Sequence, residues 1–116
     1  MDYLEQSFNI RYHYKIFFTE GLFDSDNLLL ADFFNGESSA AQKKVLFVLD
    51  AGLVDANPAL ETAITAYFQV HRAVELVSEI LIVPGGEAAK NNPAVLESII
   101  EAVDVHGIDR HSYIAA

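Results

Sequence analysis

Ile80-Leu81-Ile82-Val83-Pro84-Gly85-Gly86-Glu87-Ala88-Ala89-Lys90-Asn91 closes one buried strand and opens one helix, and its reading decides the fold. Four apolar residues in a row suit a strand covered on both faces, and Pro-Gly-Gly then stops it. Upstream, residues 45–49 (Val-Leu-Phe-Val-Leu) form a second such run that ends in Asp50. Helical patterns separate these strands. Asn57-Pro58 offers a capping side chain followed by a first-turn proline, and Leu60, Ile64, Tyr67, Phe68 and His71 follow at helical spacing. Asn92-Pro93 repeats the device ahead of Leu96, Ile99, Ile100 and Val103, with Gly107 where a C-terminal cap belongs. Residues 112–116 begin a third small apolar strand.

Further upstream, residues 8–18 alternate with period two. Phe8, Ile10, Tyr12, Tyr14, Ile16 and Phe18 share one side, and Asn9, Arg11, His13 and Lys15 the other. That pattern predicts a half-buried strand, broken at Gly21. Asp24 or Ser25 can cap a short helix carrying Leu28, Leu29 and Phe33 and ended by Asn35-Gly36, and residues 37–44 read as a polar link. The order strand, helix, strand, helix, strand predicts an α/β fold: a Rossmann-like parallel sheet flanked by helices, with an N-terminal β segment.

The 116 residues make one domain, small for a complete metabolic enzyme. Hydrophobic residues at 52% and charged residues at 21% exclude a disordered chain. The longest apolar run is far short of a membrane span, and no charged-then-apolar leader opens the sequence, so the expectation is a cytoplasmic protein without membrane contact. No cysteine is present, which excludes disulfides, thiolate metal sites and cysteine nucleophiles. Seventeen acids against seven Lys and Arg give a net charge of −10, which repels phosphate backbones and argues against nucleic acid as a partner.

Ligands of open α/β sheets bind beyond the carboxyl ends of the strands. Asp50 and the Gly85-Gly86-Glu87 turn both end core strands, so both reach that edge. Asp50 suits ribose hydroxyls, or else caps the next helix. Gly85-Gly86 allows close backbone approach, or else serves a turn that needs positive φ. Glu87 and Lys90 can fix a polar ligand, or form an i, i+3 surface pair worth about 0.2–0.5 kcal/mol. Spacing alone favours the surface pair.

Two stretches, residues 84–91 and Asp109-Arg110-His111-Ser112, carry a family likeness. With the order of elements around them, the chain resembles the N-terminal domain of 3-dehydroquinate synthase-like sugar phosphate cyclases, the superfamily of dehydroquinate synthase and 2-epi-5-epi-valiolone synthase. The resemblance covers nearly the whole chain. It implies that Asp50, Gly85, Gly86, Glu87 and Lys90 bind the adenosine part of NAD. Gly52 departs from the Asn that many members carry two residues after the Asp. Asn91 and Arg110-His111-Ser112 are more similar to the sedoheptulose 7-phosphate cyclases than to the dehydroquinate enzymes.

The resemblance further implies a phosphate-eliminating carbon–oxygen lyase that closes a carbocycle from a seven-carbon sugar phosphate and works as a homodimer. Residues 1–116 would be its single nucleotide-binding domain, inactive alone. The glycine-rich pyrophosphate loop, the catalytic lysines and the zinc or cobalt ligands are then expected in a C-terminal domain beyond Ala116. No metal ligand and no catalytic residue is assigned in this chain. His71 reads as a satisfied, half-buried histidine, His106 as a last-turn residue favourable to the helix dipole, and His13 as exposed. Two rivals share parts of the pattern: the N-terminal half of a metal-dependent alcohol or glycerol dehydrogenase, and a non-catalytic receiver-like module with Asp50 as phospho-acceptor. A domain that mainly mediates assembly is a third.

Overall fold

The computed structural model describes residues 2–36, 42–86 and 90–116. Its elements are α1 (Leu29–Asn35), β1 (Lys43–Asp50), α2 (Ala51–Ala56), α3 (Leu60–Val70), β2 (Val74–Val83), α4 (Pro93–Val105) and β3 (Tyr113–Ala115). The three strands form one parallel sheet in the order β2-β1-β3. This is the α/β architecture that the apolar runs predict.

β1 is central, and its unbroken apolar sequence follows from that position. Val45, Phe47 and Leu49 face a cluster built with Ala31 and Phe34 of α1, Ile64, Tyr67 and Phe68 of α3, and Val74 of β2. Leu46, between them, faces the other side, where it packs with Val77 of β2 and Ala102 of α4. A strand with helices on both faces has no side on which a polar residue could sit. β2 starts at Val74, six residues ahead of its apolar run, because an edge strand tolerates exposed Glu75, Ser78 and Glu79. Its pairing with β1 is irregular between Val45 and Phe47, then regular from Ile80 to Val83.

Tyr67 ties the first cluster together. Its hydroxyl accepts from the Ala31 N–H at 3.0 Å and donates to the Asn27 carbonyl at 2.9 Å. Its ring meets Phe23 edge-on at 6.0 Å. His71, one turn on, holds the Ser25 carbonyl through Nε2 at 2.6 Å. Since a carbonyl only accepts, Nε2 carries the proton there. His71 is thus a satisfied, half-buried histidine.

α4 begins and ends by local rules. The Asn92 side chain accepts from the Ala94 N–H at 3.0 Å, and Pro93 opens the helix. At the other end Gly107 adopts φ 63°. Its N–H reaches the Asp104 carbonyl at 3.3 Å, and the Ile108 N–H reaches that of Val103 at 2.9 Å, the paired closure of a Schellman motif.

Four local expectations need correction. Residues 8–18 form no strand: they lie in no regular element, and their alternating apolar row is exposed, from 70% at Ile16 to 95% at Phe18. Alternation confers the capacity to pair, but no described strand lies alongside. Neither Asp24 nor Ser25 caps α1. Asn27 Oδ1 accepts from the Leu29 N–H at 3.0 Å, while Asp24 closes the turn on Gly21. Asn57 does not cap α3 either. The unforeseen α2 ends there, and the Asn57 side chain donates back to the Leu53 carbonyl at 2.9 Å. α3 then starts at Leu60 without a side-chain cap. Finally, α4 turns Val95, Ile99, Ala102 and Val103 toward the sheet, leaving Leu96 and Ile100 exposed. Spacings of four, three and one complete a better stripe than the expected set.

Among the described residues, no helix is long and apolar enough to cross a membrane.

Candidate functional site

Parallel strands end together, so the register of β1 on β2 fixes what meets at the carboxyl edge. Asp50 is the partner of Val83. The last residue of β1 therefore stands beside the strand end from which Pro84-Gly85-Gly86 departs.

The Asp50 carboxylate works in two directions. Oδ1 accepts from the Gly52 N–H at 2.6 Å and the Leu53 N–H at 3.2 Å, capping α2. Oδ2 turns toward Gly85, so closely that a Cβ built on Gly85 would overlap the carboxylate. Gly85 is glycine for reasons of space. Gly86 is glycine for reasons of backbone: φ 65° lies in the left-handed region, and no described residue beyond its chain neighbours comes within 4 Å of where its side chain would project. The outcome is an exposed carboxylate whose capping role is realised, next to a double-glycine turn.

Of the other candidates, Lys90 is exposed, and Glu87 lies outside the described residues. Gly52, which stands where an Asn was expected from the family pattern, contributes its backbone N–H to Asp50.

The second stretch of the family likeness sits at the opposite end of the sheet, in the turn that enters β3. Asp109 Oδ1 accepts from the His111 N–H at 2.8 Å and from the Ser112 hydroxyl at 3.2 Å, while Ser112 Oγ accepts from the Asp109 N–H. The His111 N–H holds the Asp109 carboxyl below the ordinary carboxylate range; desolvation opposes it, and Ser112 and the charges of His111 and Lys44 add to the lowering. Both bonds to the carboxylate fall on Oδ1 and stay within the turn. Nearby, Lys44 Nζ donates to the His106 carbonyl at 2.9 Å, satisfying an orphan acceptor at the end of α4. The His106 ring meets Glu79 Oε2 at 2.9 Å. Sequence order cannot suggest that pairing, since 27 residues separate the partners.

Among the described residues, no group of three or more His, Asp or Glu side chains lies together as a metal site would require. No family model, curated protein or solved structure matches the chain.

Proposed function

We propose that this chain is the nucleotide-binding N-terminal domain of a sugar phosphate cyclase of the 3-dehydroquinate synthase-like kind, with Asp50 and the Gly85-Gly86 turn meeting the adenosine end of NAD. The observation that carries this reading is the contact of Asp50 Oδ2 with Gly85 at the carboxyl edge of a parallel sheet. The connection from β1 runs to β2 on one side and the chain returns past β1 to β3 on the other, so the reversal lies between β1 and β3, with Asp50 at the end of β1 beside it.

The residues present fit that half of the nucleotide. A carboxylate has about four acceptor positions, and two N–H donors occupy those of Oδ1, so Oδ2 keeps capacity for ribose hydroxyls. Among the described residues none crowds the Gly86 flank, so a ligand there would meet bare backbone. Glu87 and Lys90 would extend the grip as the chain leaves the turn. NAD supplies the hydride acceptor and donor of such a reaction; this domain's share is to bind and orient. Metal, phosphate elimination and ring closure belong to a further domain, in a cytoplasmic enzyme acting on a seven-carbon sugar phosphate.

Calorimetric titration of NAD into the protein tests the reading. Glu87→Ala and Lys90→Ala each remove a charged hydrogen-bond partner, typically worth about 1.5–3 kcal/mol, so affinity should fall roughly ten- to a hundredfold. Glu97→Ala on exposed α4 should change nothing. If Glu87→Ala binds NAD like the parent, that residue belongs to a helix-surface pair and the reading loses its charged contacts.

A further inference from the structure

The amino edge of the sheet gathers positive charge in a strongly acidic chain. β1 and β3 start side by side there: Val45 pairs with Tyr113, so Lys43-Lys44 and His111-Ser112 reach the same edge. With Gln42, Gly107 and Asp109 they line a hollow of about 380 Å³. We propose that this hollow is a second ligand site, which takes a phosphate group carrying two negative charges.

Charge selects an anion. Lys43, Lys44 and Arg110 against Asp109 make +2 at this edge, so the remainder of the −10 chain carries −12. Arg110 belongs to the group through Nε, which donates to His111 Nε2 at 3.2 Å. Both lysines are half-buried, and an ammonium withdrawn from water favours an anionic counterpart close by. Asp109 is the one acid among the lining residues, and its Oδ1 already accepts from the His111 N–H and the Ser112 hydroxyl. Its part is to fix the turn that presents His111 and Ser112, and a ligand supplies the remaining negative charge.

Geometry selects phosphate. Neighbouring residues of a strand point to opposite faces. Lys43 follows Val45 to one side, where its Nζ stands 5.6 Å from the Tyr113 ring centre. Lys44 follows Leu46 to the other, where its Nζ donates to the His106 carbonyl at 2.9 Å. That bond uses one of three N–H donors, so an anion can share this ammonium with the end of α4. Both contacts hold the cations in place before a ligand arrives, which lowers the cost of binding. Two flanking point charges suit a tetrahedral dianion, whereas a planar carboxylate is matched by the fork of an arginine. The volume lies near the lower end of small-molecule sites, roughly 300–1,000 Å³, and admits free phosphate or a small monoester.

This site is separate from the one proposed for NAD. Lys43 and Asp50 are the two ends of β1, roughly 23 Å apart at about 3.3 Å per residue. The phosphates of NAD are diesters with one charge apiece, while a terminal phosphate carries about two near neutral pH. The nucleotide is therefore not the ligand of the amino edge, and the two readings stand or fall separately.

Inorganic phosphate is the probe, titrated at about pH 7.5 and low chloride into the nitrogen-15-labelled chain. The amides of Lys43, Lys44, His111 and Ser112 should move along one saturating curve while Gly85 and Gly86 stay fixed. Lys44→Gln keeps a donor for the His106 carbonyl but loses the charge, and should weaken binding roughly ten- to a hundredfold. Lys44→Arg should restore most of the affinity. Lys43→Gln, which leaves the end of α4 untouched, should act in the same direction as Lys44→Gln. Lys15→Gln makes the same change in net charge on the N-terminal segment and should bind phosphate like the parent. Glycerol 3-phosphate separates the sources: tighter binding than free phosphate marks a monoester as the ligand, and equal binding marks phosphate itself. Shifts that never saturate, or equal losses in Lys44→Gln and Lys15→Gln, would overturn the proposal. So would saturation centred on Gly85 and Gly86.

Discussion

Asp50 and Asp109 stand at opposite ends of the same sheet and use the same local chemistry. Each accepts the N–H two residues ahead, Asp50 from Gly52 at 2.6 Å and Asp109 from His111 at 2.8 Å. Their surroundings separate them. Asp109 closes on its own turn through Ser112, within four consecutive residues. Asp50 stands in register with Val83 and lies against Gly85, 35 positions away, beside the positive-φ Gly86. An aspartate at a strand end is thus ambiguous by itself. What the neighbouring strand brings to it decides whether it is only a cap or also part of a site.

The largest expected effect comes from filling the contact that distinguishes the two ends. Gly85→Ala places a methyl group where the Asp50 carboxylate lies, and Oδ1 is held by two N–H donors, so relief is restricted. Overpacking of this sort costs about 1–3 kcal/mol, and urea unfolding should register it. The same substitution at Gly36, whose added Cβ would meet carbonyls at an ordinary 3.5 Å, should be much milder. Equal losses at the two glycines would remove the special standing of the Asp50–Gly85 approach.

A smaller effect is expected from the carboxylate itself. Asp50→Ala removes the cap of α2, worth about 0.5–2 kcal/mol, and should weaken NAD binding as well. Asp109→Ala should leave NAD binding untouched. Titrations of both variants sharpen the comparison, and parallel losses would erase it.

The smallest effect is a pH dependence at the amino end. The folded Asp109 carboxyl lies below its ordinary value, chiefly through the His111 N–H. Its stabilisation is complete above the ordinary carboxylate range and is lost as pH falls through about 4 toward the folded value. Thermal melts at pH 7 and pH 3 should therefore differ slightly less in Asp109→Asn than in the parent. An unchanged difference would mean that the turn gains nothing from ionisation.

Which parts of this were legible in the sequence follows from how local their causes are. β1 was legible because burial on both faces leaves an unbroken apolar run, and Gly107 because its closure spans only six residues. Asn92 and Asn57 show the limit. Both stand in Asn-Pro-Ala, yet Asn92 caps the helix ahead while Asn57 turns back to Leu53 of α2. The three-residue motif is the same, and only the preceding helix distinguishes them. Residues 8–18 have strand alternation as clear as any in the chain, but pairing depends on a partner that local pattern does not contain. The carboxyl edge was legible as a place, since Asp50 and Gly85 each end a core strand. Their contact was not, because it depends on the register of β1 against β2.

The most direct measurement is an NAD titration of the nitrogen-15-labelled chain, followed by amide chemical shifts. The amides of Gly52, Leu53, Gly85 and Gly86 should move together along one saturating curve, while those of His111 and Ser112 stay fixed. Still amides at the carboxyl edge at saturating NAD, or shifts confined to the Asp109 turn, would contradict it.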